Sequence, residues 1–397
     1  MRLIFVVLLA GLLPAEAPKL PEPYRSLVDL AQAAPPEFAA DALLRVAESG
    51  KIKDRDSVAD LVEQAFRLAA AAKFPVRMRG LPGTTTDTRS GFLSRAYDLK
   101  LDGVSLQSRA VRDMLAVDKA KARELFQEIP KFALAPLTCD DALVYDVSDF
   151  YQVLGAIANA AFSKEEQAKE QHIDFILDYL GQATSPAQLA PLAMIGKNAA
   201  ATTEQREILT NRLDGMVARM PQGLVCKDGA AKLDRYWQSA AAKQLLEDGT
   251  KLRSSGDGRT YTESDRSTAE WQQRLVDFLS ELDGWTPGPE ESEADYYHEK
   301  CIVFEALIDL VPLGQQRDKL LADYVAFINH SSLQQESPVE WFMEPSSMLE
   351  RIRHSSDGEI PKVLDLYQNS GNPTLTLEVA LEKALGAKLP PSMTGDN

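Results

Sequence analysis

Asp146 and Asp149 stand three residues apart in the stretch CDDALVYDVSD (139–149), a spacing that puts both carboxylates on one face if the segment is helical. Half buried, such a pair shifts one another's proton affinity and can serve as general acid and base, or hold a cation. Near a helix start the same residues equally complement the helix dipole. A second set is Arg77, Arg79 and Arg89, with Asp87, in FPVRMRGLPGTTTDTRSG (74–91). Several guanidinium groups on one loop can clasp a carboxylate or sulfate, or pin the loop to neighbouring helices by pairing with acids. Trp285, in WTPGP, is the tryptophan expected near the surface, where a ring suits sugar or peptide binding. Trp237, Trp271 and Trp341 recur at helical spacing with Leu and Phe and read as core.

The remaining chemistry-bearing residues are scattered. His172, His298, His330 and His354 are widely separated, and His298 with Cys301 offers one helix face but too few ligands for zinc. No metal site is expected. No H-E-x-x-H, G-x-S-x-G, P-loop or dinucleotide fingerprint occurs, so no cofactor is expected, and hydride transfer, ATP hydrolysis and serine hydrolysis find no support.

The N-terminus predicts export. Arg2 precedes an unbroken apolar run from Leu3 to Leu13, then Pro14 and Ala15-Glu16-Ala17, an A-x-A signature with cleavage expected after Ala17. The run is well short of the ~20 residues of a membrane span, so no membrane insertion is expected after cleavage, and the product is placed in the periplasm or outside the cell. A net charge of −16 repels phosphate backbones and anionic headgroups, which argues against nucleic acid as a partner. Three cysteines are present, and in an oxidising compartment Cys139 and Cys226, both in loop-like sequence, are the pair expected to bridge. Such a bridge would constrain the unfolded chain by about 4–5 kcal/mol in the entropy model. Cys301, inside the apolar helix CIVFEALIDL, reads as a buried thiol.

What must position these residues is helix. Ala, Leu, Glu, Lys, Gln and Arg dominate the 397 residues, and alternating β-branched runs are rare. The fold class is all-α: an irregular stack of antiparallel helical hairpins, superhelix-like, of roughly fourteen helices, with a closed α/α toroid as the alternative. The pattern is plainest at Ser105–Pro130. Leu106, Ala110, Val111 and Met114 make one stripe, and Ala122, Leu125, Phe126 and Ile129 a second, with Asp118 as the N-cap between them. Ser163 with Glu166 forms a capping box, and a long helix is expected from Asp140 or Asp141 through Phe162. The domains are a signal peptide at 1–17, helical domains at 18–222 and 223–387 divided near PQGLVCKDG, and a disordered tail at 388–397.

In the second of those stripes, Ala122, Phe126 and Ile129, with Pro130 close behind, resemble the second helix of a tetratricopeptide-type or HEAT-type repeat. The likeness covers residues 105–130. The Trp-Leu-Gly-Tyr set of the first tetratricopeptide helix is missing, and no strict internal repeat recurs. The resemblance implies an α-α superhelix with a binding surface.

Two functions follow as expectations. The favoured one is an exported binding or scaffold module of the cell envelope with a protein partner, able also to take a small molecule or glycan. The alternative is a secreted glycosidase or lyase on an α/α toroid, using Asp146 and Asp149 or the acidic run Glu290–Asp295.

Overall fold

Three aspartates start the early helices. The computed structural model describes residues 20–80, 89–130, 134–135, 143–199, 202–220, 239–255, 258–289, 291–355 and 357–386. Its first elements are α1 (Tyr24–Ala31), α2 (Pro36–Glu48), α3 (Arg55–Ala69), β1 (Met78–Gly80), α4 (Arg89–Asp98), α5 (Gly103–Val117) and α6 (Lys119–Glu128). Asp54, Asp102 and Asp118 accept the N–H of Ser57, Ser105 and Lys121 at 3.0, 3.0 and 2.9 Å, capping α3, α5 and α6. Helix accounts for 74% of the structure and strand for 3%, so the chain is mostly helical.

The hairpin α5–α6 turns at Asp118, which ends one helix and starts the next. Its Ala122, Leu125 and Phe126 are buried, and the Phe126 ring stacks on Phe150 at 4.9 Å. Helices α3 and α5 approach so closely that a Cβ on Gly103 would stand 2.9 Å from the Ala69 carbonyl oxygen. Only glycine fits the start of α5 without moving backbone.

The stretch expected as a loop at 74–91 contains β1, which pairs antiparallel with β2 (Leu143–Tyr145) in the register Met78–Tyr145, Arg79–Val144 and Gly80–Leu143. The helix expected from Asp140 or Asp141 starts instead at α7 (Ser148–Ala160). Val144 and Tyr145 favour the extended form, and Asp146 stops it by accepting the N–H and hydroxyl of Ser148 at 3.2 and 2.5 Å. Next come α8 (Lys164–Ala168), α9 (Gln171–Leu180), α10 (Leu189–Ala199) and α11 (Thr203–Val217). Ser163 and Glu166 form the capping box of α8, and Thr202 with Gln205 that of α11. Helix α7 packs on α5 and α10, and α11 packs on α9 and α10.

The second half runs α12 (Ala240–Arg253), α13 (Glu263–Arg266), α14 (Ala269–Gly284), α15 (Glu293–Leu310), α16 (Gln315–His330), α17 (Leu333–Glu336), α18 (Pro338–Ser355), α19 (Ile360–Gln368) and α20 (Pro373–Leu385). The described residues hold more helical pieces than the roughly fourteen that periodicity implies, because short segments such as α8, α13 and α17 interrupt the longer ones. Helix α15 lies among α12, α16 and α18, and α19 joins α16 and α18 to α20. The proposed divide at 222/223 and the tail at 388–397 lie outside the described residues, as do Cys139, Cys226 and the leader.

The late helices return to the early ones. Helix α20 packs on α1 and α2, and α18 on α4. Phe38 of α2 meets Phe342 of α18 edge to face at 4.9 Å, and buried apolar residues from Leu20 to Leu381 form one connected core. A partly buried ion network ties the same joint. Arg45 of α2 donates to Glu378 of α20 at 2.8 Å, and Arg109 of α5 reaches Asp41 at 2.5 Å and Glu48 at 2.7 Å. Burial pushes the Glu378 carboxyl up to about 7 despite Arg45, and burial with the Glu48 charge does the same to Asp113.

Candidate functional site

A groove opens where the small sheet meets two helices. It holds about 510 Å³, within the range of small-ligand sites. One wall is a face of α7 that carries Gln152, Gly155, Ala156 and Asn159. The opposite wall is Ala187 with Ala190, Pro191, Met194 and Ile195 of α10. Arg79 of β1, with Tyr145, Asp146 and Ser148, lines the end beside the sheet. The groove exists because the facing positions are small. Gly155 sits against Ile195 closely enough that a Cβ would touch it at 3.6 Å. Met194 is 56% exposed, which leaves its side chain free to cover a bound molecule. Tyr151 is buried, its hydroxyl accepting from Gln188 at 2.7 Å, and so fixes the floor.

Strand alternation orders the charges at the sheet end. The sheet register extends to a bond from the Asp146 N–H to the Arg77 carbonyl at 2.9 Å, so Arg77, Arg79, Val144 and Asp146 share one face. The Arg77 guanidinium bridges Asp98 and Asp146, at 3.2 Å to each. Burial pushes the Asp146 carboxyl up, but the Ser148 hydrogen bonds and the charges of Arg77 and Arg79 outweigh it and hold it below the usual carboxylate range. Arg79 is exposed.

The structure thus brings Arg77, Arg79 and Asp146 together. Asp149 is not among the groove's lining; its carboxylate takes Lys100 at 2.8 Å. Arg89 begins α4, and its side chain lies outside the described residues. Trp285 differs from its expected surface position: it is 7% exposed. Its ring meets Tyr296 edge to face at 5.5 Å, and its carbonyl accepts from Lys300 Nζ at 2.9 Å and the Tyr296 hydroxyl at 2.8 Å. Those partners bury it from further along the chain, so WTPGP alone reads as an open loop. In the acidic run, Glu290 lies outside the described residues. Ser292 caps α15 by accepting the Asp295 N–H at 3.1 Å, and Glu293 accepts from Ser331 at 3.1 Å.

Two groups of residues escape the sequence reading. Gln152 and Asn159 look like ordinary solvent-facing amides until α10 is placed opposite them. The other group is His298 and Glu305 on α15 with Glu344 on α18, all interior, and Arg351 of α18 reaching in from the surface. His298 Nδ1 lies 2.9 Å from Glu344 Oε1, and Arg351 reaches Glu305 at 3.1 Å. Burial pushes both glutamates upward, Glu305 further through the Glu344 charge. His298 with Cys301 and the Glu344-Pro345 pair are the visible traces of this network in the sequence. Its carboxyls and imidazole are buried, so it acts on the packing of α15 against α18.

Compared with protein-family models, curated proteins and solved structures, the chain shows no match. The class that fold and site define is a mostly helical protein with an amide-lined groove beside a two-stranded sheet. Among the described residues no helix is long and apolar enough to cross a membrane.

Proposed function

We propose that this protein is an exported helical binding module of the cell envelope, and that the groove between α7 and α10 receives a short peptide segment of a protein partner. The observation that carries the reading is the pair Gln152 and Asn159, flanking Gly155 and Ala156 in the groove wall. A carboxamide presents one acceptor and two donors, the complement of a peptide unit, and the small residues between let a main chain lie close. Seven residues along a helix place the two amides about 10 Å apart, roughly three residues of extended chain. The apolar wall of Ala190, Met194 and Ile195 would take a side chain between them.

The helices form an irregular stack of antiparallel hairpins, supported by the successive packing of α2 on α3 and α5 on α6. The likeness of 105–130 to helical repeats supports a binding role, and the leader supports export with cleavage after Ala17. A carbohydrate-active enzyme would need two carboxyls facing one cavity. Among the described lining residues of the groove Asp146 is the one acid, and its carboxylate is bound by Arg77.

A pool of N-acetylated pentapeptides passed over the immobilised protein tests the reading. Native protein retains a subset, and Ala190→Trp, which fills the groove from a solvent-facing position, retains none while melting at the same temperature. Equal retention by both proteins, or none by either, rejects it.

A further inference from the structure

We propose that the groove reads the free C-terminal carboxylate of its peptide, through the guanidinium of Arg79. The inference rests on the peptide reading above and adds which end of the peptide enters and what chemistry holds it.

The charges at the sheet end of the groove stand in a fixed order. Arg77, just before β1, and Arg79 within it share one face, two residues apart, opposite Asp146 and Val144 respectively. Arg77 is committed, bridging Asp98 and Asp146 and 12% exposed at its side chain. Asp146 is committed too, since one oxygen takes Arg77 and the other takes both donors of Ser148. Arg79 stands next to this closed set. It is exposed, it lines the groove, and among the described residues it makes no ion pair.

That leaves a planar fork of five N–H donors in the lining of a half-apolar trough. A carboxylate is the group that two parallel N–H bonds of a guanidinium match best. Asp146 does not repel it strongly, because Arg77 balances that charge at 3.2 Å and Ser148 donates to it twice. The chain as a whole carries −16, so a guanidinium inside a groove with no ion pair among the described residues is a localised exception that selects an anionic end rather than a general anion-attracting surface.

The dimensions agree. From Ser148, beside Arg79, to Asn159 the groove follows eleven residues of α7, about 16 Å. An extended chain covers that length in about five residues. A peptide with its carboxylate on Arg79 therefore places one main-chain amide at Gln152 and another at Asn159, and an acyl chain would leave both carboxamides unmatched. Nothing at the Asn159 end carries a charge among the described lining residues, so the chain can run on out of the groove into the body of a partner.

Two matched pentapeptide pools, one of free acids and one of C-terminal carboxamides, separate the possibilities on the unmutated full chain. Free acids are expected to be retained about tenfold over the carboxamides, the worth of one charge-assisted contact. In Arg79→Gln the ratio of acid to carboxamide retention falls to about one, and Arg79→Lys, a charge without the fork, lies between. Equal retention of acids and carboxamides by the native protein overturns the carboxylate inference and leaves the peptide groove standing. Retention of neither pool overturns both. The acid-to-amide comparison needs no variant, so misfolding of a substituted strand would not blunt it.

Discussion

The Tyr297 hydroxyl donates to the Trp341 carbonyl at 2.8 Å, the carbonyl left without its helical partner because Pro345, four residues on, has no N–H. A side chain of α15 thus supplies the bond that α18 cannot make for itself. The Tyr367 hydroxyl donates to the Pro345 carbonyl at 2.8 Å and holds the same turn from α19. Tyr297→Phe leaves a buried acceptor unsatisfied and is expected to cost about 1–3 kcal/mol in urea unfolding. In a Pro345→Ala background, which restores the N–H, the same substitution should cost less. Strictly additive losses would show that the hydroxyl is not standing in for that bond.

Four buried or half-buried carboxyls set the pH dependence of stability. Burial raises Asp113, Glu305, Glu344 and Glu378 to about 7. As pH rises from the ordinary carboxylate range toward neutrality, the unfolded chain releases these protons first. The unfolded state then binds fewer protons than the folded one, and stability falls. Carboxyls lowered on folding act the other way and at lower pH: Asp146, despite its burial, through Ser148 and Arg77, and Glu166 to about 2 chiefly through the Ser163 N–H. Stability should therefore be greater at pH 5.5 than at pH 7.5 and fall again below about pH 4. Glu344→Gln keeps an acceptor for His298 and should flatten the upper slope, by at most about 1.4 kcal/mol per pH unit. Urea midpoints at the two pH values decide it, and an unchanged slope would remove Glu344 from the account.

Gly103→Ala tests how tightly α3 and α5 are joined. Alanine favours a helix by about 1 kcal/mol over glycine. Here its Cβ would press on the Ala69 carbonyl, a backbone atom that cannot swing aside. Overpacking of this kind costs about 1–3 kcal/mol, so a net loss is expected in thermal unfolding. A rise in melting temperature would mean that the two helices part easily.

Arg77→Gln removes both ion pairs of the bridge while Arg79 stays in place. The site is only partly buried, so a loss of about 1–2 kcal/mol is expected, less than for a fully enclosed pair. Asp146 should also titrate higher, followed by carboxyl NMR. An unmoved Asp146 would assign its low value to Ser148 and Arg79.

Local signals were readable ahead of the structure, and distant ones were not. Asp118 and Ser163 act within three residues of themselves, so their caps stand in the sequence as they stand in the fold. The strand Leu143–Tyr145 has only three residues, and its partner lies far back at Met78–Gly80, so no periodicity could mark it. Asp146 therefore belongs to a strand end that faces Arg77, not to a helix face shared with Asp149. Trp285 and the interior glutamates fail for one reason. Tyr296 and Lys300 bury the first, and Arg351 and His298 accompany the second, all across elements that composition treats as independent. Likewise the groove needs α7 and α10 side by side, and neither helix alone shows that its small face is left open.

The joint between the first helices and the last also orders how the chain can fold. Arg45 and Glu378 are separated by 333 residues, and closing a loop of that length costs about 5 kcal/mol in chain entropy before the contact gives anything back. Helices α2, α3 and α5 can collapse on one another early, with their partners near in sequence. The face of α2 that meets Phe342 and Glu378 then stays uncovered until α18 and α20 arrive. A half-emerged chain accordingly carries an apolar seam with Arg45 beside it, a surface that holdase chaperones would recognise and that the finished protein no longer presents.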